Sequence, residues 1–263
     1  MKNFMIANKT KNRRYKFENI DLLLKAQIEN SLELGWKKED IILLANFDYK
    51  FMGVESIKID LNKECLTGSK MFGMKYLFDN NMVNDIIWAH DLDAWQNARF
   101  ECPDFLDVGA TTYSRPKFNG GSIFWRKSAK DIVDKIINEI TKNKENKEEP
   151  TLNKVFKSKK YKDRVTNINN TFNVGCSGYV ERWDRSDKPI KVCHFHPTNR
   201  IAWETHRLDR NGLGISGVSN RLTYLLKHYY PSIATELSEE GKIAQKLKKE
   251  KYKHIIEKIN FSA

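Results

Sequence analysis

The chain begins with a short apolar run, Phe4-Met5-Ile6-Ala7, that reads as a strand. From Ile20 to Leu34 the apolar positions Ile20, Leu23, Leu24, Ile28, Leu32 and Leu34 return near helical spacing, and Gly35 follows as a stop. Ile41 to Ala45 is uninterruptedly apolar, the pattern of a strand buried on both faces. Val54 to Ile59 alternates and predicts a further strand. Ser69 to Phe78 predicts a helix with Met71, Met74, Leu77 and Phe78 on its inner side. The next strand, Ile86 to Ala89, runs out into two aspartates, Asp91 and Asp93. This alternation of strand and helix argues for a parallel α/β sheet with helices on its faces. Ligands of such sheets gather beyond the carboxyl ends of the strands, where Asp91 and Asp93 fall.

The second half of the chain is less regular. Val108 to Tyr113 and Gly121 to Trp125 read as strands, and Ser128 to Thr141 as a helix with Ile132, Val133, Ile136, Ile137 and Ile140 as its stripe. Pro150 suits the first turn of a short helix that ends near Phe156. Lys191 to Phe195 predicts a strand, and Arg221 to Tyr230 a helix closed by Pro231. Ser238 to Ile259 reads as a long basic helix. The expected division is one domain over residues 1–235 and a basic helical extension over residues 236–263.

Composition changes this picture in four ways. Hydrophobic residues make up 40% of the 263 and charged residues 30%, the balance of a folded rather than a disordered chain. No apolar run is long enough to cross a bilayer, and the basic N-terminus lacks the apolar centre of a signal peptide, so a cytoplasmic protein is expected. The four cysteines, Cys65, Cys102, Cys176 and Cys193, form no C-x-x-C pair and are expected to be free thiols. The net charge of +12 favours an anionic partner. The bases concentrate between Lys154 and Arg164 and after Gly241. They lack the aromatic interleaving of a single-strand platform, which disfavours nucleic acid. A lysine-rich helix interrupted by Leu247, Ile255 and Ile259 would suit peripheral contact with an anionic membrane, or simply a packed helix with a wet basic face.

Four stretches carry candidate chemistry. Asp91 and Asp93 either close a turn or hold a divalent cation that neutralises a diphosphate. Phe118-Asn119-Gly120-Gly121 opens an apolar strand with two glycines, which make either an ordinary turn or a backbone that a ligand approaches closely. Glu148 and Glu149 sit ahead of a helix, where they either compensate its N-terminal dipole or face the pocket as a base or sugar ligand. His194 and His196 alternate on a strand and so share a face, as a metal ligand and a phosphate partner would. Gly212 to Gly217 fits G-x-G-x-x-G, but the residues before it are mostly polar rather than a strand. It is read as a flexible loop, a candidate lid.

Taken in order, these pieces resemble a GT-A type nucleotide-sugar glycosyltransferase from about Phe4 to about Trp203. The matching features are the D-x-D at Asp91 and Asp93, the strand Phe118 to Trp125 (similar to the family's F-N-x-G stretch), the acidic-x-x-L-N element Glu148 to Asn153, and the late His194-Phe195. The resemblance implies a Rossmann-like mixed sheet flanked by helices, a C-terminal helical extension, and transfer of a sugar from a nucleotide-diphosphate donor, with UDP-sugar favoured, to a glycan or other acceptor hydroxyl. It implies Mn2+ (or Mg2+) held by Asp91, Asp93 and His194, with Asp91 also near the donor. Ile6, Ala7 and Asn8 would wall the nucleotide base, Asn119 and Gly120 would border the donor sugar, and Arg200 would reach its phosphates. Glu149 or Glu148 would stand near the reacting carbon. Glu-Glu-Pro replaces the Asp-Gln-Asp of the glycogenin-like branch, so stereochemistry does not carry over. The alternative is a non-catalytic protein that binds an anionic ligand or nucleic acid.

Overall fold

In the computed structural model, residues 1–9, 20–60, 69–112, 117–143, 148–175, 185–194, 224, 225 and 228 are described. The strands are β1 (Lys2–Ala7), β2 (Ile41–Ala45), β3 (Lys50–Phe51), β4 (Val54–Lys58), β5 (Ile86–His90), β6 (Ala94–Gln96), β7 (Val108–Thr112), β8 (Phe118–Arg126), β9 (Val165–Asn167), β10 (Val174–Gly175) and β11 (Val192–His194). The helices are α1 (Ile20–Glu33), α2 (Ser69–Asp79), α3 (Lys130–Asn143) and α4 (Glu148–Phe156).

An eight-stranded sheet has the order β3-β4-β2-β1-β5-β8-β7-β9. The strands β4, β2, β1 and β5 run parallel, as the early strand–helix alternation requires. The sheet is nonetheless mixed. β8 runs antiparallel to both β5 and β7, and β3 folds back on β4 as a short hairpin. The parallel run ends at β8, because only residues 113–117 separate β7 from β8, too few for a parallel crossover, and the sheet is the mixed one that the resemblance implies. A small second sheet, β10-β11-β6, lies in front, with β11 parallel to β10 and antiparallel to β6.

Side-chain alternation sorts the core into two layers. Phe4, Leu44, Ile87, Ala89, Ile123 and Trp125 face α2, α3 and α4. Met5, Ala7, Leu43 and Ala45 face α1 through Ile20, Leu24 and Ile28. Trp88 and Phe124, on that second face, pack against Ala94 and Val192 of the small sheet. The helix predicted from Ser128 begins as a 3-10 turn at Lys127–Ala129 before α3, and its apolar stripe is fully in the core. The short acidic helix starts at Glu148 rather than at Pro150, which puts both glutamates inside its first turn. The tail helix, the residue 212–217 loop and most of the 221–230 segment lie outside the described residues. Of the cysteines, Cys102 is free and Cys193 is buried in β11; Cys65 and Cys176 lie outside the described residues. No helix among the described residues is long and apolar enough to cross a membrane.

α2 lies close against β1 because Gly73 has no side chain. A Cβ there would stand 2.7 Å from Ile6 Cδ1 and 2.8 Å from Phe4 Cζ. Gly73→Val is expected to destabilise the protein by about 1–3 kcal/mol through overpacking. Urea unfolding checks this, and an unshifted midpoint would contradict the packing of α2 on β1.

Candidate functional site

β5 is apolar and buried up to His90, and the chain then turns sharply through Asp91 to Asp93 into β6. The turn is closed by main-chain bonds: Asp91 N–H donates to the Gly121 carbonyl (2.9 Å), and Ala94 N–H donates to the Asp91 carbonyl (3.0 Å). α1 grips the same loop with buried amides. Gln27 Nε2 donates to the carbonyls of Leu92 and Ala94, both at 2.9 Å, and Asn30 Nδ2 donates to that of Gln96 (2.9 Å). His90 stacks on Trp88 and bonds through Nδ1 to the Asp91 carbonyl (3.0 Å). Burial pushes its imidazole down to about 4, so the ring is neutral at physiological pH.

The loop so held presents Asp91 and Asp93 to the end of β11. His194 Nε2 lies 3.3 Å from Asp93 Oδ1 and 3.8 Å from Asp91 Oδ2. One ligand atom from each of the three residues falls within 4.8 Å of the others, so the carboxylate pair and the imidazole share one place. Of the two readings of the D-x-D, the turn and the cation seat, the structure accommodates both at once. Main-chain groups make the turn, and the side chains remain directed at His194.

β8 makes room for this group. A Cβ on Gly121 would overlap Cε1 and Nδ1 of the His194 ring, so only glycine lets the imidazole lie against the strand. Asn119, two residues earlier, is buried and bridges three elements. Its Oδ1 accepts from Gly121 N–H (2.9 Å) and from Asn173 Nδ2 (2.6 Å), and its Nδ2 donates to Glu149 Oε2 (3.2 Å). Asn173 in turn faces His194, Oδ1 to Nδ1 at 3.1 Å. Glu149 is partly exposed and pairs with Lys117 (2.8 Å).

Behind Asp91 lies a buried cation. Lys70 Nζ, from the first turn of α2, donates to Asp91 Oδ1 and to the Gly120 carbonyl, both at 2.5 Å, and stands 3.4 Å from Glu148 Oε1. Burial works against the ammonium, but the Asp91 charge, followed by that of Glu148, outweighs it and holds Lys70 well above the usual lysine range. Glu148 shifts the other way for a carboxylate. Burial, partly offset by Lys70, raises it to about 7. Asp91, the nearer partner and the more exposed of the two carboxylates, is therefore the one that neutralises Lys70. Glu148 is the member of the trio that takes up a proton.

Sequence reasoning named most of this group. Asp91, Asp93 and His194 come together, and Asn119, Gly120, Glu148 and Glu149 surround them. Ile6 and Ala7 end β1 with their side chains in the two core layers, and Asn8 donates to Ser69 Oγ (3.0 Å) beside Lys70 in sequence. Arg200 and His196 lie outside the described residues. Lys70, Gln27, Asn30 and Asn173 were not anticipated. Lys70 had a readable signal: it occupies the apolar-stripe position four residues before Met74 and seven before Leu77.

Gly121→Ala is expected to displace His194 and weaken whatever divalent-cation binding the Asp91–Asp93–His194 group shows by about tenfold or more, the scale of lost ligand orientation. Calorimetric titration of the folded variant with Mn2+ checks this. Glu148 also links stability to pH. Its folded value of about 7 exceeds the ordinary 4.5, so between these values the folded chain holds a proton that the unfolded chain has released. The stability this group contributes is thus present below about pH 4.5 and is lost as pH rises through about 7. Glu148→Gln should flatten that part of the stability profile, as read by urea melts across the window.

No protein-family model matches the sequence, and no curated protein matches it. Solved structures do. The galactosyltransferase LgtC, in complex with donor and acceptor sugar analogs, is 16% identical and aligns over 93% of this chain and 100% of its own, with a TM-score of 0.56. The glycosyltransferase GlyE of Streptococcus pneumoniae TIGR4 is 14% identical over 90% of this chain, with a TM-score of 0.52. The bifunctional glycosyltransferase WbbM is 12% identical over 86% of this chain, with a TM-score of 0.50. The alignment takes in 66% of GlyE and 51% of WbbM. The mixed sheet, its helices and the small sheet in front of it are those of the GT-A glycosyltransferase fold.

Proposed function

We propose that the protein is a metal-dependent glycosyltransferase that moves a sugar from a nucleoside-diphosphate donor, a UDP-sugar by preference, to an acceptor hydroxyl. The observation that carries this reading is the convergence of Asp91, Asp93 and His194 at the carboxyl end of β5, in a fold shared with glycosyltransferases. The donor set fits a dication of intermediate hardness. Carboxylates suit both Mn2+ and Mg2+, and the imidazole favours Mn2+, because Mg2+ keeps to oxygen ligands and water. When bound, such an ion supplies Lewis-acid stabilisation of the charge that develops on a departing diphosphate.

The chain's own groups supply the rest. Asp91 gives one oxygen to the buried Lys70, whose charge it offsets, and offers the other beside Asp93, whose carboxylate supplies the loop's net negative charge for a cation. Glu149 and Glu148 flank Asn119 and Gly120, close enough to the carboxylate pair to act on a sugar held there. In an inverting reaction a glutamate of this pair takes the acceptor's proton, and a carboxyl group poised near 7 suits that exchange. In a retaining reaction the pair orients the sugar. Ile6, Ala7 and Asn8, at the end of β1, are the proposed wall for the nucleotide base.

Screening a panel of nucleotide sugars for Mn2+-dependent donor hydrolysis tests the proposal, and Asp93→Asn should lower that hydrolysis by about a hundredfold or more while circular dichroism stays unchanged. Undiminished turnover in chelator would defeat it. Tight nucleotide-sugar binding without turnover would instead favour a binding protein on the same fold.

A further inference from the structure

We infer that Asn46 is a positioning residue for the nucleoside half of the donor, holding the end of β1 in place as the wall of that subsite. The inference rests on the proposed donor reading. β1 and β2 pair in parallel as far as Ala7 and Ala45. At that rung β2 also serves its other neighbour, and Ile59 N–H donates to the Ala45 carbonyl (2.8 Å). The β1–β2 register stops there, at the carboxyl edge where ligands of such a sheet gather. The Asn46 side chain then continues the pairing in place of main chain. Its Oδ1 accepts from Lys9 N–H and its Nδ2 donates to the Lys9 carbonyl, both at 2.8 Å. A main-chain N–H can only donate and a main-chain carbonyl can only accept, so the orientation of this amide is fixed at both ends. The side-chain amide carries the same donor and acceptor as a peptide group, and it adds a two-bond rung beyond the last one of the ladder.

The support is itself anchored. Asn46 is half-buried, and the loop after it is tied to β4 by Ser56, whose Oγ accepts from Tyr49 N–H (2.9 Å) and donates to the Phe47 carbonyl (3.1 Å). The Lys9 ammonium lies over the Phe47 ring, 3.9 Å from its centroid. Phe47 and Leu92 both pack against the core layer that holds Met5 and Ala7, and Leu92 stands between Asp91 and Asp93, so the wall and the cation loop rest on one base. Asn8 is held from the opposite side, by its Nδ2 bond to Ser69 Oγ at the start of α2 (3.0 Å). Lys9 is exposed, so its main-chain bonds compete with water, and what Asn46 supplies is direction rather than burial. A wall already in place when a nucleoside arrives need not be ordered on binding. Asn46 acts through Lys9.

Calorimetric titration with two probes in the presence of Mn2+ tests this. UDP carries the nucleoside and the diphosphate; inorganic pyrophosphate carries the diphosphate alone. Asn46→Ala should bind UDP about tenfold more weakly, the scale of one or two lost net hydrogen bonds, and pyrophosphate as tightly as the wild type does. Unchanged UDP affinity overturns the inference. So does an equal loss for both probes, which would give Asn46 a structural role only. If Asn46→Ala does not fold, Asn46→Asp decides, at high salt that screens its added charge. That variant keeps an acceptor for Lys9 N–H but turns a second acceptor toward the Lys9 carbonyl, and it should likewise weaken UDP alone. Amide hydrogen exchange of the nucleotide-free protein gives a further reading: Lys9 N–H should exchange more slowly in the wild type than in Asn46→Ala, and equal rates overturn the inference. A wild type that binds no UDP defeats the proposed donor and this role with it, whereas UDP binding that the substitution leaves untouched defeats this role alone.

Discussion

The ammonium of Lys70 is the point on which the site is assembled. It is buried against the sheet, where a lone cation would be prohibitively costly, and it is tolerable only because three different elements turn an oxygen toward it. Asp91 comes from the end of β5, the Gly120 carbonyl from β8 and Glu148 from the start of α4. Removing one partner of such a buried group costs about 3–5 kcal/mol in general. Moving any of the four elements away would therefore leave a buried charge uncompensated, and that penalty opposes their displacement. Lys70 also takes up one of Asp91's oxygens while leaving the other directed at His194.

Around this anchor the polar groups fall into two sets with different tasks. Gln27 and Asn30 of α1, with the His90 ring, hold the main chain of the loop after β5. Asn119 and Asn173 hold side chains, linking Glu149 to His194 across two sheets. The first set shapes the loop and the second holds the side chains that face it. Gly121 serves both. Its carbonyl accepts from Asp91, its N–H donates to Asn119, and its missing side chain admits the His194 ring.

Much of this was legible in the sequence. Hydrophobic period gave β1, β2, α1, α2, β5, β8 and α3 with ends displaced by a residue or a few, because their buried stripes are mostly apolar over their length. The short strands β3, β6, β9 and β10 were not legible. Ala94-Trp95-Gln96 and Val174-Gly175 owe their strand geometry to partners distant in the chain, and two or three residues carry no period. The antiparallel setting of β8 was hidden for the same reason, since pairing direction is decided by the crossover and not by the strand's own residues. In the site, Asp91, Asp93, Asn119 and His194 announced themselves as polar groups at strand ends. Gln27 and Lys70 were visible only as polar interruptions of apolar stripes. Asn173 lies among three other asparagines between Asn167 and Asn173, and nothing local distinguishes it from them.

The grip of Gln27 and Asn30 has an evolutionary consequence. Both amides reach carbonyl oxygens, which every amino acid possesses, so these bonds do not depend on which side chain stands at the part-exposed position 92. A substitution that alters what position 92 shows to a substrate leaves them in place, whereas Ala94 and Gln96 are buried. A new specificity can thus be explored at position 92 without first rebuilding the frame.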